Sequence, residues 1–198
     1  MKKKHRCSWC SWCSGYADYE KYHDQEWGVP LHDDQKLFEF LMLETFQAGL
    51  SWLTILRKRE NFRSAFDGFD VSRIANYKVN KIEKLMTDKG IVRNRLKILA
   101  AITNAQAFIE IQKKFGSFDK YIWGFVDDKP IQNRFTQLSE IPTKTALSDL
   151  ISNSLKQHGF KFVGSTTVYA HMQATGMVND HLMGCFRYKE IESLGQVT

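Results

Sequence analysis

Apolar positions recur along this chain at intervals of three and four, the spacing that lays one stripe along one face of an α-helix, and no run alternates as a half-buried strand would. After Asp33 and Asp34, the positions Leu37, Phe40, Leu41, Glu44 and Ala48 fall on one such stripe. Ser51 is placed to cap the next helix, whose inward positions are Trp52, Ile55, Leu56 and Phe62. Asp70 and Asn80 are cap positions for two short helices. Residues 85–95 read as the end of one helix, a turn at Gly90 and the start of a long helix carrying Ile98, Ile102, Ala105 and Ile109. Leu147, Leu150, Ile151 and Leu155 mark a further helix closed by Gly159, and a last one runs from about Ser165 to Gly176. The predicted fold class is all-α. With 198 residues, three prolines and no long Gly/Ser linker, the chain is expected to form a single domain over 1–198.

A composition of 43% hydrophobic and 25% charged residues excludes disordered and fibrous classes. The 28 Lys and Arg against 22 Asp and Glu give a net charge of +6, which suits a polyanionic partner but equally fits a merely basic surface. The basic start at Lys2, Lys3 and Lys4 leads into Cys-Ser-Trp units rather than an apolar run, so export is not expected. No apolar stretch approaches the roughly 20 residues of a membrane helix. A cytoplasmic location is expected, where four cysteines point to metal or free thiols before disulfides.

Two constellations carry candidate chemistry. His181 and Cys185 stand four residues apart, and Cys10 with His23 can complete a Cys2His2 set, a closed tetrahedral zinc site with a structural role that would tie the two ends of the chain. The Cys-x-x-Cys spacing of Cys7, Cys10 and Cys13 also permits a cysteine-rich zinc knuckle or, with Cys185, an iron–sulfur cluster. The second constellation is Glu44, a carboxylate on a core-facing stripe. Such a group is costly to bury unless a function or an ion pair with an arginine retains it. Trp52 follows closely, and Tyr19, Tyr22 and His23 share one side of the helix before Trp27. Flat rings around one acceptor can pack as ordinary core, or hold a heterocycle by stacking.

The motifs Tyr19-x-x-Tyr22-His23-Asp24-x-Glu26-Trp27-Gly28-Val29-Pro30, Glu44-x-x-Gln47-Ala48-Gly49-Leu50-Ser51-Trp52, Gly159-Phe160-Lys161-Phe162-Val163-Gly164 and Asn179-Asp180-His181-x-x-x-Cys185 occur in this order. On these motifs the chain resembles, throughout its length, the bacterial 3-methyladenine DNA glycosylase I (Tag) family. The resemblance implies a helix-hairpin-helix superfamily fold and a structural zinc ion on Cys10, His23, His181 and Cys185, with Cys10 having the family's separation from the Tyr-His motif. It also implies that Glu44 and Tyr22 recognise the base, that Trp52 and Trp12 stack on it, and that Tyr19 walls the pocket. Leu50, beside Gly49, resembles the family's wedge into DNA. The chain departs from the family in its extra Cys-Ser-Trp unit and at Thr45-Phe46, beside Glu44.

The implied activity is release of 3-methyladenine from double-stranded DNA to leave an abasic site, with no lysine nucleophile and no strand cleavage. Gly90, Arg93 and Arg95, with Lys89, would present a hairpin to a phosphate, although an ordinary basic turn has the same sequence. No obligate protein partner is expected. Two competing readings remain: a non-catalytic zinc-stabilised DNA-binding module, which gives Glu44 no task, and a zinc hydrolase of small molecules, which needs an open metal position.

Overall fold

The computed structural model describes residues 5–7 and 16–195. The chain is mostly helical, with ten α-helices among the described residues: α1 (Ala17–Gln25), α2 (Asp34–Gln47), α3 (Trp52–Ala65), α4 (Val71–Ala75), α5 (Val79–Thr87), α6 (Arg95–Phe115), α7 (Phe118–Trp123), α8 (Ala146–Gln157), α9 (Ser165–Ala174) and α10 (Phe186–Leu194). The only sheet among the described residues is a parallel pair of two-residue strands, β1 (Ile131–Gln132) and β2 (Val178–Asn179). No described helix is long and apolar enough to cross a membrane.

Helix α2 is the centre. It packs against α3, α6, α7 and α9, and every position from Leu37 to Phe46 is buried, so its apolar surface is a full collar rather than one stripe. A helix surrounded on all sides tolerates a polar residue where it is hydrogen-bonded, as Thr45 is to the Leu41 carbonyl, paired, as Glu39 is with Arg63, or reached by a cleft. Asp33 caps its start by accepting from the Lys36 N–H at 2.8 Å. Asp34 in turn accepts from the backbone N–H groups of Phe118 at 3.0 Å and Asp119 at 2.8 Å, fastening α7 to that end. The far end is closed by Lys97 of α6. Its buried Nζ donates to the carbonyls of Phe46 at 2.9 Å and Ala48 at 2.7 Å, satisfying two of the acceptors a helix leaves open.

Several sequence expectations need correction. Ala48 lies beyond the last turn of α2 and is exposed, because the chain leaves the helix there for the turn that carries Gly49 and Leu50. Ser51 and Asp70 do cap α3 and α4. Asn80 does not cap: α5 begins one residue earlier, after Lys78. Leu150 is exposed, whereas Ile151 and Leu155 carry α8 into the core. The helix from Ser165 is followed by α10, whose buried positions are only Tyr188 and Ile191, too short a pattern to separate from a loop.

Helices α5 and α6 are joined through residues 88–94, with Asn94 capping α6. Asp88 Oδ1 accepts from the Gly90 N–H at 2.7 Å, and Lys58 Nζ donates to the carbonyls of Lys89 and Gly90 at 3.0 and 3.1 Å. Gly90 serves close approach: a Cβ there would lie 2.9 Å from Asp88 Oδ1 and 3.1 Å from the Asn61 Cβ.

Candidate active site and metal centre

The C-terminal half of α2, the start of α3, the inner face of α1 and the outer face of α9 enclose a cleft of about 380 Å³. Glu44, Tyr19, Tyr22 and Trp52 all line it, so four of the residues singled out from sequence are brought together. Glu44 is only 5% exposed, and among the described residues its carboxylate has neither a hydrogen-bond donor nor an ion-pair partner. Burial alone pushes its pKa up to about 8. Tyr22 is buried beside it, and its phenol is held well above the ordinary tyrosine range, first by burial and then by the nearby Glu44. The Tyr22 ring lies against Trp52 with centroids 5.4 Å apart at 48°, and edge-on to Tyr19 at 6.4 Å. The Trp52 indole N–H is buried with no acceptor among the described residues. A purine-sized opening that presents a carboxylate with no partner among the described residues and several flat rings suits a polar heterocycle.

Sequence reasoning missed part of the wall. Trp27, Gln47, Ala170 and Gln173 also line the cleft, and so does the irregular segment bearing Leu138, Ile141, Pro142 and Thr143. Gln47 and Trp27 sit inside quoted motifs and were legible as candidates; the 138–143 segment has no periodicity to reveal it. Trp12, expected to stack on the base, lies outside the described residues.

At the cleft's mouth the chain turns through residues 47–51. Gly49 adopts φ +84°, a left-handed conformation that favours glycine, and the Leu50 N–H donates to the Gln47 carbonyl at 2.6 Å. Leu50 is 42% exposed. Arg93 and Arg95 are exposed on the 88–94 turn and the start of α6, with Arg95 Nη1 paired to Glu83 at 2.7 Å.

Beneath α1 lies a buried cluster of Cys7, His23, His181 and Cys185, whose ligand atoms all fall within 4.8 Å of one another. Cys7 stands where the resemblance placed Cys10, and Cys10 itself lies outside the described residues. Three Sγ-to-nitrogen separations are 3.5 Å (Cys7 to His181 Nδ1), 3.6 Å (Cys185 to His23 Nε2) and 3.7 Å (Cys185 to His181 Nδ1). A tetrahedral ion with metal–sulfur bonds of about 2.3 Å and metal–nitrogen bonds of about 2.0 Å sets such atoms about 3.5 Å apart, so the donor set fits. The remaining ring nitrogens are held in the manner of metal ligands. His23 Nδ1 meets Asp24 Oδ1 at 2.8 Å, and His181 Nε2 meets the Trp27 carbonyl at 3.0 Å. Partial burial pushes Asp24 up, but its hydrogen bonds with Arg6 and His23 leave it below the ordinary carboxylate range. Hydrogen bonding with Cys7, then with His181 and His23, outweighs burial and holds the Cys185 thiol far below its usual range. Gly28 is required here: it has φ +80°, and a Cβ would stand 3.1 Å from His181 Nε2.

Residues 12–188 match the family described as methyladenine glycosylase. DNA-3-methyladenine glycosylase 1 of Escherichia coli (strain K12) is 50% identical over 167 residues, 84% of this chain and 89% of that protein. A crystal structure of 3-methyladenine DNA glycosylase I superposes with a TM-score of 0.88 at 48% identity, covering 92% of this chain and 98% of the other. A tyrosine-to-phenylalanine variant of 3-methyladenine DNA glycosylase I, solved in complex with 3-methyladenine, gives 0.87 at 38% identity over 89% of this chain and 95% of the other. By sequence over most of its length and by fold, this chain belongs to the methyladenine glycosylase family.

Proposed function

We propose that this chain is a DNA-3-methyladenine glycosylase, which takes an alkylated adenine out of double-stranded DNA into the Glu44 cleft and hydrolyses its N-glycosidic bond. The observation that carries this reading is Glu44, an acidic side chain without a partner among the described residues, sunk in a cleft walled by Tyr19, Tyr22 and Trp52. A non-catalytic DNA-binding module would have no use for it.

Methylation at N3 makes the base cationic, so the bond from its ring nitrogen to the sugar is already weak. When that bond breaks, its electron pair goes to the base, which leaves neutral. Water adds to the oxocarbenium-like sugar carbon and gives up a proton, and an abasic site remains. Little further force is needed, so the residues act by holding and discriminating. Glu44 is largely protonated in the free protein at neutral pH, and a cationic base arriving beside it favours the carboxylate. Glu44 then accepts from the amino edge, Tyr22 fixes that contact, and Trp52 and Trp12 stack on the ring while Tyr19 closes a wall. Unmodified adenine is neutral and leaves far less readily.

On the DNA side, α5, the 88–94 turn and α6 form a helix-hairpin-helix unit that grips a phosphate with Lys89, Arg93 and Arg95. The Gly90 N–H is already given to Asp88, so backbone donation falls to the groups that follow it. Leu50 enters the stack where the base has left, and Gly49 lets the backbone come close. Cys7, His23, His181 and Cys185 hold a zinc ion, a closed four-ligand tie between the N- and C-terminal segments that takes no part in the reaction.

The test is incubation of the purified chain with methylated DNA. Release of free 3-methyladenine is expected, with Glu44→Gln slower by about tenfold or more. Release by neither protein would defeat the proposal.

A further inference from the structure

The cleft carries a second acceptor whose orientation is set from behind. Gln173 lies on the cleft wall in the last turn of α9. Its Nε2 donates to Asp180 Oδ2 at 2.8 Å. Asp180 is fully buried, and its oxygens also accept from Tyr169 Oη at 2.7 Å and Asn133 Nδ2 at 2.6 Å. A carboxylate surrounded by three donors accepts only, so the amide must turn its nitrogen inward. No described group donates to Gln173 Oε1. The residue is only half-buried. Gln173 lines the same cleft as Glu44, and with its nitrogen given to Asp180 the oxygen is the amide atom left for a ligand.

A glutamine amide normally reads either a donor or an acceptor, because rotating it exchanges its nitrogen and oxygen. Asp180 removes that choice. Rotation would set the amide oxygen against a buried carboxylate and leave Asp180 short of a donor. Resting on the glycosylase reading, we infer that Gln173 is a specificity-determining residue, an acceptor-only contact that favours a purine with an amino group at position six over one with a carbonyl there. The amino group of a 3-methyladenine base has two N–H donors, one for Glu44 and one for Gln173 Oε1. The corresponding guanine oxygen meets Oε1 with no proton between them, and the locked amide cannot turn to supply one. Discrimination of this kind is strong because a mismatch leaves site atoms unpaired in a confined space.

The experiment compares kcat/KM for release of 3-methyladenine and 3-methylguanine from methylated DNA by the wild-type protein, Gln173→Met and Gln173→Ala, with melting curves confirming that each is folded. The adenine-to-guanine ratio is expected to fall about tenfold in both variants. A ratio within twofold of wild type would overturn this inference while leaving the glycosylase reading intact. Release of neither base by the wild-type protein would overturn both. Should the variants not fold, the assigned Gln173 side-chain amide of the labelled wild-type protein decides by magnetic resonance. Its protons should stay hydrogen-bonded before and after addition of free 3-methyladenine, with a shift on binding; an amide that flips, or that does not respond, would overturn the inference.

Discussion

Tyr22 and Trp52 meet ring against ring across the junction of α1 and α3, 5.4 Å between centroids, and Glu44 is buried on the helix between them in sequence. Each ring is held by a different helix, so the cleft's shape depends on the packing of α1 on α3 and of α3 on α2. Among the described residues, that arrangement gives neither the buried Trp52 indole N–H nor the Glu44 carboxylate a hydrogen-bond partner. A ligand that donates to Glu44 offsets the cost of burying its carboxyl.

The Glu44 carboxyl gives a pH signature in stability. Unfolded, it titrates near its ordinary value of 4.5; folded, burial moves it to about 8. Between those values the unfolded chain has lost a proton that the folded chain keeps, so this contribution is whole below pH 4.5, declines as pH rises and levels off above 8. Glu44→Gln should therefore melt increasingly above the wild-type protein through this window, by about 2–4 kcal/mol at pH 8.5. Thermal melts from pH 5 to 9 measure it, and a constant gap would contradict the burial of an uncompensated carboxyl. In the same window kcat/KM on the cationic lesion should rise with pH and flatten above about 8.

At the metal centre, the cysteine that lies with His23, His181 and Cys185 among the described residues is Cys7. The purified chain should carry one zinc ion, lost in Cys7→Ser and Cys185→Ser and retained in Cys10→Ser. Elemental analysis reads this directly. Loss of the ion should cost about 2 kcal/mol, or roughly 4–8 °C in Tm. Retention of zinc by Cys7→Ser would mean that a neighbouring Cys-Ser-Trp unit takes over.

Leu50 and the basic hairpin should separate kinetically. Leu50→Ala is expected to lower kcat/KM about tenfold while binding of free 3-methyladenine is unchanged, since the wedge acts on the stack and not on the base. Arg93→Ala should weaken binding to undamaged duplex and reduce the salt slope by about one. Arg95→Ala should do less, because Arg95 must first leave Glu83, an exposed pair of small worth. Equal effects of all three on free-base binding would count against this division.

The features legible in the sequence were those governed by period or by cost. Glu44 stood out because a carboxylate interrupts an apolar stripe, and Ser51 and Asp70 because capping chemistry is local. What was not legible depended on tertiary contact. The collar around α2 and the exposure of Leu150 follow from which neighbours arrive, and periodicity is silent about that. Gln173 and the 138–143 wall come from parts of the chain far from Glu44, and only packing makes them neighbours. Cys7, Cys10 and Cys13 follow one another at a three-residue spacing, the first two in identical Cys-Ser-Trp units, so their order alone cannot choose the ligand.

One lysine gives this molecule a fixed calliper. By closing the end of α2 from the first turn of α6, Lys97 sets the span between the hairpin and the Leu50 turn with a single buried ammonium. If the Leu50 turn and the 88–94 hairpin meet DNA as proposed, a jaw of constant width leaves the distortion to the duplex. A strand already loosened by a damaged, poorly stacked base would then yield to it most easily.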